Sequence, residues 1–78
     1  MACGVYYLWD GEQVLYVGAS RNVERRLRQH YSEQSILFIQ AFFDACSPEE
    51  LDQREIYAIE LHRPKLNEQY THYPSKLA

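Results

Sequence analysis

Residues 4–18 read Gly4-Val-Tyr-Tyr-Leu-Trp-Asp-Gly-Glu-Gln-Val-Leu-Tyr-Val-Gly18: two β-branched and aromatic runs on either side of Asp10-Gly11. Such runs favour extended backbone, and the Asp-Gly pair favours a tight reversal, so the stretch predicts a β-hairpin. Two registers are open. A two-residue loop pairs Tyr6 with Leu15; a three-residue loop over 10–12 pairs Tyr6 with Tyr16 and lines Gly4, Tyr6, Leu8, Val14, Tyr16 and Gly18 along one face.

Downstream, Ser20 or Asn22 can cap a helix running to about Tyr31, with Val23, Leu27 and Tyr31 at i, i+4 and i+8 facing the core. Arg26 and His30 form a second i, i+4 pair beside that stripe and point the same way. The dense apolar run over 35–43 predicts a third strand, covered on both faces. Ser47-Pro48-Glu49-Glu50 carries a capping-box signature: Ser at the N-cap, Pro at the first helical position and Glu at the third. The second helix ends before Pro64, because the residue preceding proline disfavours helical dihedrals. The sum is an α+β fold of order ββαβα: a small three-stranded antiparallel sheet flanked by helices. A domain over 1–67 is followed by a tail, 68–78, that docks or frays.

The whole chain is 78 residues, 46% hydrophobic and 24% charged. One small domain follows, with a single core and its chemistry at the rim. No apolar run approaches the ~18 residues of a membrane span, and the N-terminus has no signal-like segment, so a soluble, cytoplasmic protein is expected. Cys3 and Cys46 stand far apart in no metal-ligand spacing, which suggests reduced thiols in a reducing compartment. The formal net charge is −3, yet Arg21, Arg25, Arg26 and Arg28, half of the eight basic residues, lie within eight positions. The overall acidity conceals a local basic patch.

Glu55 stands one turn after Leu51 and one turn before Ala58 and Ile59, on the apolar side of the second helix. A buried carboxylate needs a cation, either a basic side chain or a metal ion, and the sequence leaves both open. Arg26 and His30 taken alone read equally as surface residues with buried stems. Tyr6 and Tyr16 taken alone read as strand aromatics.

In combination these residues fall into a recognisable order. Gly4-Val5-Tyr6, with Tyr16-Val17-Gly18 ten residues on, resembles the paired tripeptides of the GIY-YIG nuclease superfamily. Arg26, ten residues after Tyr16, stands where that family carries its helix arginine, and His30 where several members carry histidine. Glu55, followed twelve residues later by Asn67 in Pro64-Lys-Leu-Asn67, resembles the family's metal-binding glutamate and its Pro-x-x-Asn ending. Ala19 departs from members that place a lysine after the second tripeptide.

The resemblance implies a metal-dependent endonuclease that hydrolyses DNA phosphodiester bonds, with Tyr6, Tyr16, Arg26, His30 and Glu55 as catalytic residues. Gly18 and Asn67 would support them. Within that implication Glu55 holds Mg²⁺, with Mn²⁺ a possible substitute, because Mg²⁺ prefers oxygen ligands and keeps several waters. Arg26, with its planar permanent charge, stabilises the phosphorus oxygens. Tyr6 is the favoured base and Tyr16 holds water or phosphate, although the two can exchange roles. A free tyrosine has a pKa near 10, so a neighbour must lower it or take its proton, and His30 is the available one. Asn67 either orients Glu55 or pins the chain end. Because both tyrosines must share a face, the three-residue loop register is expected. Arg21, Arg25, Arg28 and Lys65 can touch DNA phosphates without reading sequence, so a protein partner, self-association or DNA structure directs cleavage. The competing reading is a catalytically silent nucleic-acid-binding or protein-interaction module on the same fold.

Overall fold

A computed structural model describes residues 2–69. The elements are β1 (Gly4–Trp9), β2 (Val14–Ser20), α1 (Val23–Glu33), β3 (Gln40–Ala45), a 3₁₀ turn (Pro48–Glu50), α2 (Leu51–His62) and α3 (Lys65–Gln69). The strands form one antiparallel sheet in the order β2-β1-β3, so the expected ββαβα fold is found. Most of the expected C-terminal tail lies outside the described residues. Its first two residues instead close α3, which follows Pro64 at the position where proline favours a helix start.

Strand alternation sends side chains to two faces, and each face has its own helix. On one face, α1 lays Val23 and Leu27 against Tyr6 and Leu8, with Tyr16 at the margin. On the other, α2 lays Ala58, Leu51 and Ile59 against Val5, Val17 and Ala19. Among the described residues no helix is long and apolar enough to cross a membrane.

The hairpin has a register that differs from both sequence-based alternatives. Tyr6 stands opposite Gly18 and Leu8 opposite Tyr16, after which Leu15 is passed over and Trp9 meets Val14. Tyr6 is therefore not opposite Tyr16. The slip is two residues, so the tyrosines still share a face, whereas Val14 moves to the α2 side. The cause is steric: the Tyr6 ring lies across Gly18, where a Cβ would overlap its Cζ and hydroxyl. The turn runs from Asp10 to Gln13. The Asp10 carboxylate accepts from the Glu12 and Gln13 N–H groups at 2.8 and 2.9 Å, and Gly11 takes a φ of +104°.

Three further expectations need correction. The third strand starts at Gln40 rather than Ser35, because six-residue β1 offers it partners only as far as Trp9. It is an exposed edge rather than a doubly covered strand. Leu37 and Ile39 lie out in solvent, while Ile36 and Phe38 turn inward beneath α1. Tyr31 is 57% exposed rather than in the core and stacks on Phe38 at 4.9 Å between ring centroids. At the α2 entrance the Ser47 hydroxyl makes no capping bond; its carbonyl accepts from the Glu50 N–H at 3.0 Å, closing the 3₁₀ turn. At α1 the expected cap is present: Asn22 accepts from the Arg25 N–H at 3.2 Å.

Asn67 ties the end of the domain to the sheet. Its Oδ1 accepts from the Val17 N–H at 2.7 Å and its Nδ2 donates to the Val17 carbonyl at 2.9 Å. The side-chain amide thus imitates a neighbouring strand on the outer edge of β2 and satisfies both backbone groups there. Of the two roles expected for Asn67, pinning the chain end is the one these bonds display.

Two substitutions test this frame. Gly18→Ala forces the Tyr6 ring aside and should cost roughly 1–3 kcal/mol. Asn67→Ala leaves two edge groups of Val17 without their partner and should cost about as much. Urea unfolding of each variant measures the loss, and unchanged midpoints would contradict the contacts described.

Candidate active site

The first cluster is aromatic. β1 delivers Tyr6, β2 delivers Tyr16 and α1 delivers His30, with ring centroids 6.2 Å apart for the tyrosines, 5.5 Å for Tyr6 and His30, and 5.8 Å for Tyr16 and His30. The Tyr6 hydroxyl lies 3.0 Å from His30 Nε2. Tyr6 is wholly buried; Tyr16 and His30 are half-buried.

Burial dominates the electrostatics. It raises the Tyr6 pKa above its ordinary 10, with the nearby Arg26 guanidinium countering in part and Glu55 pushing the same way as burial. At Tyr6 a lowered pKa, one of the two expected routes to a base, is therefore absent; the route left to this residue is proton transfer to a neighbour. Burial also lowers the His30 pKa below 6.5, and Arg26 lowers it further. The imidazole is neutral at pH 7, with a nitrogen lone pair able to take a proton. Its Nδ1 is buried and makes no hydrogen bond among the described residues.

The second cluster is a cleft of about 590 Å³ between the start of α1 and the start of α2. Arg21, Arg25 and Arg26 line one wall and Pro48, Leu51, Asp52 and Glu55 the other, with Ala19 and Ser20 of β2 between them. Glu55 is only 2% exposed. The helical periodicity that placed it among apolar neighbours located it correctly.

Arg26 joins the two clusters. It lines the cleft with Glu55 while its charge acts on both Tyr6 and His30. Its Nη1 donates to Gln29 Oε1 at 3.0 Å, and Gln29 in turn donates to Glu33 at 3.0 Å. Its Nε is buried without a hydrogen-bond partner among the described residues. Gln29 was not singled out from sequence, nor was Asp52 on the cleft wall. The signal for both was their i, i+3 spacing, from Arg26 and to Glu55 respectively. Ala19, where some members carry lysine, lines the cleft floor.

The structure does not gather every expected phosphate contact. Arg21 and Arg25 share the cleft with Arg26, but Arg28 and Lys65 are exposed and line neither cleft wall.

For a metal, the described residues contain no cluster of three or more His, Cys, Asp or Glu side chains. Glu55 and Asp52 are the acidic groups of the cleft. Such a sparse, all-oxygen set fits a hard divalent cation that retains most of its waters rather than a soft transition metal.

A sheet with one helix on each face, carrying a paired-tyrosine hairpin and a basic cleft around a buried acid, defines the class of domain. The family model for the GIY-YIG catalytic domain matches residues 2–69, and the chain belongs to that family. The family is one of nucleases, generally endonucleases, which act on DNA. No curated protein matches the chain.

The His30 environment is directly measurable. An NMR titration of its ring should give a midpoint below 6.5, and Arg26→Ala should move that midpoint upward by removing a nearby positive charge. A midpoint at or above 6.5 in the unaltered protein would contradict the buried, neutral imidazole.

Proposed function

We propose that this chain is a metal-dependent DNA endonuclease whose cuts are directed by DNA structure or by a partner protein rather than by sequence. The observation that carries the reading is the Tyr6 hydroxyl held 3.0 Å from His30 Nε2, near Arg26, which also lines the Glu55 cleft.

Hydrolysis needs a deprotonated water, charge stabilisation at phosphorus and a neutralised leaving oxygen. Tyr6 takes a proton from water as its own hydroxyl proton passes to neutral His30. No free tyrosinate has to form at neutral pH. Arg26, permanently charged and forked, stabilises the phosphorus oxygens, while Gln29 holds its Nη1 in place. Glu55, with Asp52 near it, would hold Mg²⁺, which when bound supplies positive charge for the leaving oxygen. Tyr16 positions the water or the phosphate. A second reading exchanges the tyrosines, and the greater exposure of Tyr16 favours it.

Substrate grip comes from Arg21, Arg25 and Arg26, with no element that reads base edges. Three phosphate contacts on duplex DNA imply a salt slope near −2.7, or roughly a 40-fold loss of affinity between about 50 and 200 mM salt. Nearly constant affinity over that range would contradict the cleft as the binding surface.

The test of activity uses the purified chain with supercoiled, branched and single-stranded DNA, each with Mg²⁺, with Mn²⁺ or with chelator. Cleavage is expected with either metal and not with chelator. Arg26→Ala and Glu55→Gln should each reduce it at least ~100-fold while the fold persists by circular dichroism. Cleavage that survives both substitutions would refute the site, and folded protein that binds every substrate without cutting it would favour the silent module.

A further inference from the structure

The β1–β3 ladder, continued one step beyond the Gly4–Ala45 pair, brings Cys3 opposite Cys46. The Cys46 N–H donates to the Cys3 carbonyl at 2.9 Å, a bond of the kind that joins residues opposed across an antiparallel ladder. Residues opposed across an antiparallel ladder have Cα atoms about 4.5–5.5 Å apart, inside the ~4.4–6.8 Å that a disulfide spans. Directly opposed side chains also lie on the same face. Both cysteines are half-buried free thiols. Burial raises the Cys46 pKa, and the nearby Cys3 thiol raises it further. Distant in sequence, the two thiols are neighbours in the fold.

We infer that Cys3 and Cys46 form an intrachain disulfide under oxidising conditions, a redox-formed staple between the first and third strands. The ends it joins are the roots of both helices. Ala2, beside Cys3, accepts from the Val23 N–H at 2.8 Å and donates to Glu24 Oε1 at 2.9 Å, so it anchors the start of α1. Ser47, beside Cys46, opens the 3₁₀ turn into α2. The bond therefore ties together the supports of the two cleft walls.

The oxidant is a small-molecule disulfide such as oxidised glutathione. One cysteine thiolate attacks it, releasing one glutathione thiolate and leaving a mixed disulfide. The second cysteine thiolate attacks the protein sulfur, closes the Cys3–Cys46 bond and releases the second glutathione. Two electrons pass to the glutathione, and the two cysteine protons end on its two thiols.

The full-length chain, equilibrated in oxidised glutathione and then in dithiothreitol, tests the inference without reference to nuclease activity. Oxidation should lower the intact mass by about 2 Da and abolish uptake of two maleimides. It should also raise Tm by roughly 10 °C, because the bond closes a long loop of the unfolded chain. Cys3→Ser and Cys46→Ser should each lose the mass change and the Tm gain. Two maleimides still taken up after oxidation, a stable glutathione adduct or a disulfide-linked dimer would overturn the pairing. Bond formation without a Tm gain would overturn the staple.

Discussion

The Tyr6 ring lying across the bare backbone of Gly18 is the contact on which the rest of the molecule depends. It settles the β1–β2 register, because no other residue type opposite Tyr6 leaves room for the ring. It determines which face Tyr6 shares with Tyr16, and hence which face α1 must cover. It also aims the Tyr6 hydroxyl at His30, about two turns into that helix. A close approach that first presents itself as packing is thereby what assembles the aromatic part of the site.

Arg26 plays the corresponding part in the electrostatics. The chain is acidic in sum, but its charges are segregated, and the basic residues at the start of α1 converge on one cleft. Burial sets the protonation of Tyr6 and His30, and Arg26 modifies both. Both remain neutral near pH 7, which suits a proton passed along a hydrogen bond better than a standing phenolate. Glu55 stands buried on the opposite wall. Each wall of the cleft is carried by one helix, so the geometry of the cleft rests on how each is rooted in the sheet.

Much of this was legible in the residues. The hairpin, both helices and the inward aim of Glu55 follow from periodicity, turn chemistry and the Pro64 boundary. The shared face of Tyr6 and Tyr16 could be read because a slip of two residues preserves strand parity. The register itself could not, since turn residues alone do not reveal that a ring will occupy the space over Gly18. The run over 35–43 is misleading because apolar content alone does not distinguish a strand from a packed loop. In the fold, alternate residues of its first half turn under α1 while Leu37 and Ile39 face water. Asn67 was ambiguous for a related reason: its partner is a backbone edge, which carries no side-chain signature. The pairing of Cys3 with Cys46 was invisible until the ladder brought the chain ends of β1 and β3 side by side.

The central claim is that one phenol hydroxyl, oriented by packing, moves the proton of the attacking water. Comparing the DNA cleavage rates of Tyr6→Phe and Tyr16→Phe tests it most directly, because each change deletes a single oxygen and leaves the ring in place. The account predicts that Tyr6→Phe loses about 100-fold or more in rate while remaining folded, and that Tyr16→Phe loses less. A folded Tyr6→Phe variant that cleaves DNA at the unaltered rate would contradict it.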